Sequence, residues 1–479
     1  MVFAGLASGQ AFEPRLLDTN QLLGGDAPRF VRRGGASAGL GLPLVGGEGQ
    51  AVLWRDAGTT ILSTLPTHEA GDAYAMDAAG MVVGTSVDVV TGGPHIKYFE
   101  TAVIWPPGAL PVEVSSMVVS GPSLELFSTR DVLESGLLLG QGRDAGVSRS
   151  RGWILENGVL TDLGALPSNG NVFPRDINEA RWIVGEATDG LGRDHAFLWR
   201  NGVLQDLHMA SGVPGFVSEA NAINESGTAV GGADFVVDGI QLEEAAMWLP
   251  DGKLLQLPNL GGMQSTCRDI NQRGDAVGFS TTPTNDLRAM LWSDGKGHDL
   301  NDLLPANSGW TLLVASAISD DGHIVGEGVL GGTIRAYVLE PVCDSCTNYC
   351  ASTPNSSGFA AEMATVGWES IEAGFLTVVA EPVPANQFGL FFFGPNQTQV
   401  PFGNGLRCVA AGGQGLFRLP VVKSDSSGRL SHDVDFQSPP VASTLLPGTT
   451  WNFQAWFRDP AGGGAGFDSS DGLTITFVH

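Results

Sequence analysis

The chain has 479 residues, 67 of them glycine and 27 proline, and carries a formal net charge of −26. That length holds more than one domain, the turn-rich composition favours an all-β protein, and the negative charge argues against partners that are nucleic acid or anionic membrane. Only 16% of residues are charged, so the acidity reflects few bases and no dense acidic tract, which argues against a disordered polyanion.

Residues 1–12 combine a short apolar run with small residues from Ala7 to Ala11, and read as the remnant of a secretory signal peptide whose start lies upstream. No later stretch reaches the roughly 20 apolar residues of a membrane span. An extracellular or cell-surface protein is expected.

Residues 13–341 are a repeat. One anchor is an apolar residue, a polar turn and a run ending in Val-Gly: Met76 to Gly84, Ile177 to Gly185, Ile223 to Gly231, Ile270 to Gly278 and Ile318 to Gly326. The other follows it, as AVLW at Ala51, AVIW at Ala102, AFLW at Ala196, AMW at Ala246 and AMLW at Ala289. Successive glycines lie 231 − 185 = 46, 278 − 231 = 47 and 326 − 278 = 48 residues apart, the spacing of four-stranded propeller blades. With weaker copies ending at Gly46 and Gly140 there are seven units.

Asn-Glu-Ser-Gly and Ser-Asp-Asp-Gly supply residues that tolerate positive φ, so each first anchor predicts a hairpin. Asn178 to Arg181 lacks the glycine, and a different turn is expected there. The AFLW runs are continuously apolar, which means burial on both faces, as in stacked blades. Val203 to Leu207 alternates and suits an outer strand. The last unit stops after Leu339 with its fourth strand missing, and Arg15-Leu16-Leu17-Asp18 matches blade-ending text such as Leu254 to Leu257. The N-terminal segment is therefore expected to close the ring, which removes exposed sheet edges. The longer stretch from Ala109 to Asp131 predicts an insertion on one rim.

This text resembles the bacterial HAF-repeat proteins, named for the tripeptide present here as His195-Ala196-Phe197, from about Arg15 to Leu339. The resemblance implies an extracellular β-propeller and no shared enzymatic activity. Only one unit keeps the histidine, so His195 is expected to be structural or a surface residue.

Residues 342–358, with Cys343, Cys346 and Cys350, read as a linker. A zinc site there would need a fourth ligand recruited from Cys267 or Cys408; disulfides are the simpler choice in a secreted chain, and five cysteines leave one unpaired. Residues 359–479 lose the repeat and alternate at Trp451 to Arg458 and Leu473 to Phe477, which predicts half-buried antiparallel strands of a small β-sandwich. This segment is similar to a C-terminal module of many secreted bacterial proteins at YC..TPNSSG, PFGNGLRCV, WNFQAWFRDP and SDGLTITF. The resemblance implies a Cys350–Cys408 disulfide; Cys343 and Cys346 depart from its pattern.

No motif for a cofactor, a metal or a phosphate is present in the text, and no catalytic residue is assigned. Gly35-Ala36-Ser37-Ala38-Gly39 fits the nucleophile-elbow spacing but lacks the strand-to-helix context. Ser319 to Gly322 fits a hairpin better than a calcium loop. Glu186 and Glu327 follow Val-Gly anchors, and a ring could turn both toward one channel, where glycoside hydrolysis would require a defined separation. Two functions are compatible with these features. One is a secreted or cell-surface, non-enzymatic binding protein whose propeller rim presents a site for an extracellular polysaccharide or protein. The alternative is a polysaccharide-active propeller hydrolase or lyase, which predicts channel carboxylates with perturbed pKa.

Overall fold

The computed structural model describes residues 11–17, 27–31, 37–41, 49–55, 58–90, 97–144, 149–167, 169–208, 217–237, 239–293, 295–305, 307–343, 345–369, 371 and 376–478. The candidate signal remnant therefore lies outside the described residues except for its last two positions, which begin a strand.

Seven four-stranded sheets follow one another as blades 1 to 7, spanning 27–61, 70–113, 124–162, 172–206, 218–256, 265–299 and 310–342, the last completed by Ala11–Leu16 beside Thr333–Val342. Closure by the N-terminal strand is thus observed, and Leu17 N donates to Ala336 O at 3.3 Å. The first strands are Ala27–Val31, Ala70–Met76, Leu124–Val132, Val172–Ile177, Ser218–Ile223, Ser265–Ile270 and Trp310–Ile318. Each packs against the first strands of both neighbouring blades, and the seventh returns to the first, so these strands encircle the axis. The third strands carry the AFLW text, and their apolar runs are buried almost throughout, as in Gln50–Arg55 and Leu287–Ser293.

The repeat text has a physical reason. Asn178, Asn224 and Asn271 each accept a main-chain N–H within their own turn, from Trp182, Thr228 and Asp275, through Oδ1 at 2.9–3.1 Å. Their Nδ2 groups donate to the carbonyls of Asn224, Asn271 and Ser319, one blade further on. The next position forms a second belt: Glu225, Gln272 and Asp320 accept from the main-chain N–H of Glu179, Glu225 and Gln272, each at 2.9 Å. Side-chain hydrogen bonds to main chain, buried at the asparagines and exposed in the second belt, thus stitch blade to blade at the repeat period.

Two expectations are corrected here. Arg181 takes the left-handed conformation, φ +62°, at the position that Gly227 and Gly274 occupy elsewhere with φ +80° and +90°. The turn is the same one, and Arg181 is held there by a bidentate ion pair to Glu156. The stretch from Ala109 to Asp131 is not an insertion: it contains the outer strand Val112–Glu113, a 3-10 turn at Val114–Met117 and the start of Leu124–Val132. The connection between blades 6 and 7 has the same plan, with a 3-10 turn at Leu300–Leu303. The extra length lies in a nine-residue first strand with two bulges.

The second compact unit holds, of the described residues, 11–13 and 340–478. One sheet orders Thr347–Tyr349, Phe467–Thr476, Thr450–Arg458, Phe388–Gly394 and Phe417–Arg418; a second orders Glu362–Gly367, Leu376–Glu381 and Leu430–Asp433. Phe391, Phe393, Phe453 and Ile475 from the first meet Met363, Val378, Ala380 and Leu430 from the second in one core, a β-sandwich. Residues 342–358 are no linker, since Thr347–Tyr349 is an edge strand hydrogen-bonded to Gly472–Thr474. Nor is Thr450–Arg458 half-buried: only its two ends are exposed. A hairpin of Asn396–Phe402 and Gly405–Ala410 supplies partners for its polar residues, with Gln454 accepting from Cys408 N at 2.8 Å and donating to Leu406 O at 2.8 Å. Cys343 is bonded to Cys346 and Cys350 to Cys408, which removes the zinc alternative; Cys267 is free and buried in the propeller.

Candidate ligand site in the propeller channel

The first strand of every blade carries a β-bulge at one equivalent place, where the register skips Arg29, Tyr74, Arg130, Arg175, Asn221, Arg268 and Ser316 in turn. Bulges re-aim side chains, and here seven of them sit on the strands around the axis. Val-Gly explains how they are accommodated. A Cβ on Gly84, Gly185, Gly231, Gly278 or Gly326 would stand 2.0–2.1 Å from a carbonyl oxygen of the bulged strand. Only glycine allows that approach.

Four of the seven bulge residues are arginines. Arg29 is paired with Asp72, Nε at 2.8 and 3.1 Å from its two oxygens and Nη2 at 2.8 Å. Arg175 Nη2 donates to Glu186 at 2.9 Å and lies 3.9 Å from Glu219. Arg130 donates from Nη2 to the neutral Gln141 amide at 3.2 Å and lies over the Tyr74 ring at 4.3 Å, with Arg29 5.5 Å from the same ring. Arg268 lies 5.6 Å from the Phe279 ring. Burial lowers the Arg130 and Arg268 pKa values, and the positive charges of Arg29 and Arg175 push both further down. The opposite holds for Arg29, where Asp72 outweighs burial and raises the value.

Directly after three of these arginines come Asp131, Asp176 and Asp269. Asp176 accepts from its own neighbour Ile177 at 2.8 Å and from Ile223 of the next blade at 2.7 Å; Asp269 does the same with Ile270 and Ile318, both at 2.8 Å. Asp131 accepts from Val132 at 2.7 Å and Ile177 at 3.3 Å. Burial raises Asp131 to about 6 and Asp269 to about 7. Burial and the adjacent Asp131 keep Asp176 protonated well above the ordinary range, and it shares a hydrogen bond with Asp131.

Glu186 has a raised pKa from burial, partly offset by Arg175, and its acidic neighbours are Glu219 and Asp194. Glu327 stands on blade 7 opposite Ala336, in the field of Arg29. The two acids lie three blades apart, and the structure does not bring them together as a pair. His195 is buried, with Nδ1 2.8 Å from Asp206 and its ring stacked on His208 at 4.5 Å, a structural role. Gly35 and Ala36 of the elbow-like text lie outside the described residues, and Ser37, which begins the strand Ser37–Gly41, is buried. The arginines were not singled out from the text. Their signal was there, as Arg-Asp two residues before the turn position at Arg130-Asp131, Arg175-Asp176 and Arg268-Asp269.

Beside the ring, a groove of about 260 Å³ is lined by Asp72, Tyr74, Thr85, Tyr98 and Glu100. Tyr98 is exposed. Among the described residues no cluster of His, Cys, Asp and Glu is arranged to hold a metal ion, and no helix is long and apolar enough to cross a membrane.

No family model and no curated protein matches the chain. Among solved structures it is similar to a gluconolactonase from Xanthomonas campestris, 15% identical with a TM-score of 0.29, over 62% of this chain and 96% of that one. It is also similar to a GH32 β-fructofuranosidase from Bombyx mori, 9% identical with a TM-score of 0.24, over 99% and 89% of the two chains. A sucrose-6-phosphate hydrolase from Lactobacillus gasseri is 9% identical with a TM-score of 0.26, over 100% and 88%. At such scores these likenesses carry no argument about the chemistry of this chain.

Proposed function

We propose that the chain is a secreted or cell-surface binding protein of the HAF-repeat kind. Its propeller holds an extracellular polysaccharide or protein at the channel mouth without catalysing a reaction. The deployment of the channel acids supports this most directly. Asp72 and Glu186 hold arginines in place, while Asp131, Asp176 and Asp269 each accept main-chain donors across a blade boundary. Carboxylates so engaged are poorly placed to act as general acid or base, which needs free reach to a substrate proton. Two disulfides favour an oxidising compartment.

One observation favours the alternative, a polysaccharide-active hydrolase or lyase: the Asp269 carboxyl, raised to about 7, would be about half protonated near neutral pH. A glycan array probed with the whole chain, with released sugar ends assayed in the same wells, separates the two. Retention without release is expected. Release that disappears in Asp131→Asn or Asp269→Asn would replace binding by catalysis.

A further inference from the structure

We infer that the channel recognises a carboxylate-bearing saccharide, its carboxylate on Arg130 and its sugar rings in the groove beside Tyr74 and Tyr98; this rests on the binding function proposed above. The chain has only 25 lysines and arginines against a net charge of −26, yet four guanidinium groups stand at equivalent bulges of blades 1, 3, 4 and 6. Converging like charges are unfavourable unless each is neutralised. Two are: Arg29 by Asp72, and Arg175 by Glu186 with Glu219 nearby. Among the described residues, Arg130 and Arg268 have no carboxylate at ion-pair distance.

Arg130 is the better placed of the two. Its guanidinium carbon lies over the Tyr74 ring, 4.3 Å from the centroid, and its Nε is buried with no hydrogen-bond partner, as is the Nε of Arg175 on the next blade. A guanidinium held against a ring, with Nη N–H donors beyond the one given to Gln141, is suited to a carboxylate that accepts them. Tyr74 also lines the groove, together with Tyr98, Val87, Asp72 and Glu100. The exposed Tyr98 ring and the planar carboxylates complement the apolar and hydroxyl faces of a sugar. Asp72 is already neutralised by Arg29, so the ligand carboxylate is placed on Arg130, and Glu100 on the groove wall is left to accept from sugar hydroxyls.

The test is isothermal titration of the whole chain with trigalacturonic acid and with maltotriose, at about 0.15 M salt, where screening confines the repulsion of the acidic surface to roughly 8 Å. The acidic trisaccharide is expected to bind at least about tenfold more tightly than the neutral one. Arg130→Gln is expected to remove at least about tenfold of that affinity. Tyr98→Ala, at an exposed position whose change does not threaten folding, is expected to weaken both sugars alike. Equal binding of the two sugars, or an acidic trisaccharide unaffected by Arg130→Gln, overturns the inference. If neither sugar binds while the array retains another polymer or protein, the ligand class alone is wrong. If the array retains nothing, the binding function falls with it.

Discussion

Gly278→Ala tests the link between the Val-Gly text and the arginine-bearing bulges. A Cβ at Gly278 would lie 2.0 Å from Thr266 O and 3.0 Å from Cys267 Cα, where ordinary contact begins near 3.4 Å. The two strands would have to separate by more than an ångström. The first strand cannot yield freely, because Asp269 ties it to Ile318 of blade 7. Forced overpacking costs about 1–3 kcal/mol, and one or two ladder hydrogen bonds lost with it add about 1 kcal/mol each. We expect about 3 kcal/mol, or a fall of about 5 °C or more in the propeller's melting transition. Differential scanning calorimetry of the full chain measures it, with Gly413→Ala as control, since Gly413 has open space around its missing Cβ and should change stability by less than about 0.5 kcal/mol. Melting of Gly278→Ala within a degree of that control would refute the claim that the glycine makes room for the bulge.

Other outcomes follow from the same contacts. Asn224→Ala removes an intra-turn acceptor and an inter-blade donor, and should cost about 2 kcal/mol in denaturant titration; an unchanged midpoint would deny the stitching role. Because Asp269 titrates near 7 when folded and near 4 when unfolded, the folded state holds a proton that the unfolded chain releases. Its stabilisation is complete below about pH 4 and is lost as pH rises through about 7. Asp269→Asn should therefore flatten stability against pH between about 5 and 6.5 by up to about 1.4 kcal/mol per pH unit, and equal slopes in variant and parent would contradict this. Replacing Cys350 and Cys408 by alanine opens a 58-residue separation and should destabilise the sandwich by about 2–4 kcal/mol, read from the same calorimetric trace; loss of less than about 1 kcal/mol would count against the disulfide as a structural tie.

The repeat was legible because its elements are local. Turn chemistry at Asn224 to Gly227, continuous apolar runs at the third strands and a missing fourth strand after Leu339 all follow from short-range patterns, and they determine seven blades and closure by the N-terminal strand. The Cys350–Cys408 pair was implied by resemblance, whereas Cys343 and Cys346 were left open. Where local reading failed, a distant partner decided. Arg181 adopts a glycine's conformation because Glu156, 25 residues away, holds it; Thr450–Arg458 is buried on both faces because a hairpin covers Gln454. The channel lay furthest from sequence reasoning. Arg-Asp recurs visibly, but whether an arginine points to solvent or to the axis depends on a bulge, and the bulge on a glycine across the ladder. Charge pairing mixes both ranges: Arg175 meets Glu186 across the hairpin of its own blade, Arg29 meets Asp72 of the next blade, and Arg130 has, among the described residues, only the neutral Gln141 and the Tyr74 ring. The sequence by itself determined the blades; the tertiary structure alone decided which charges face one another, because electrostatic partners are chosen by distance in space and not along the chain.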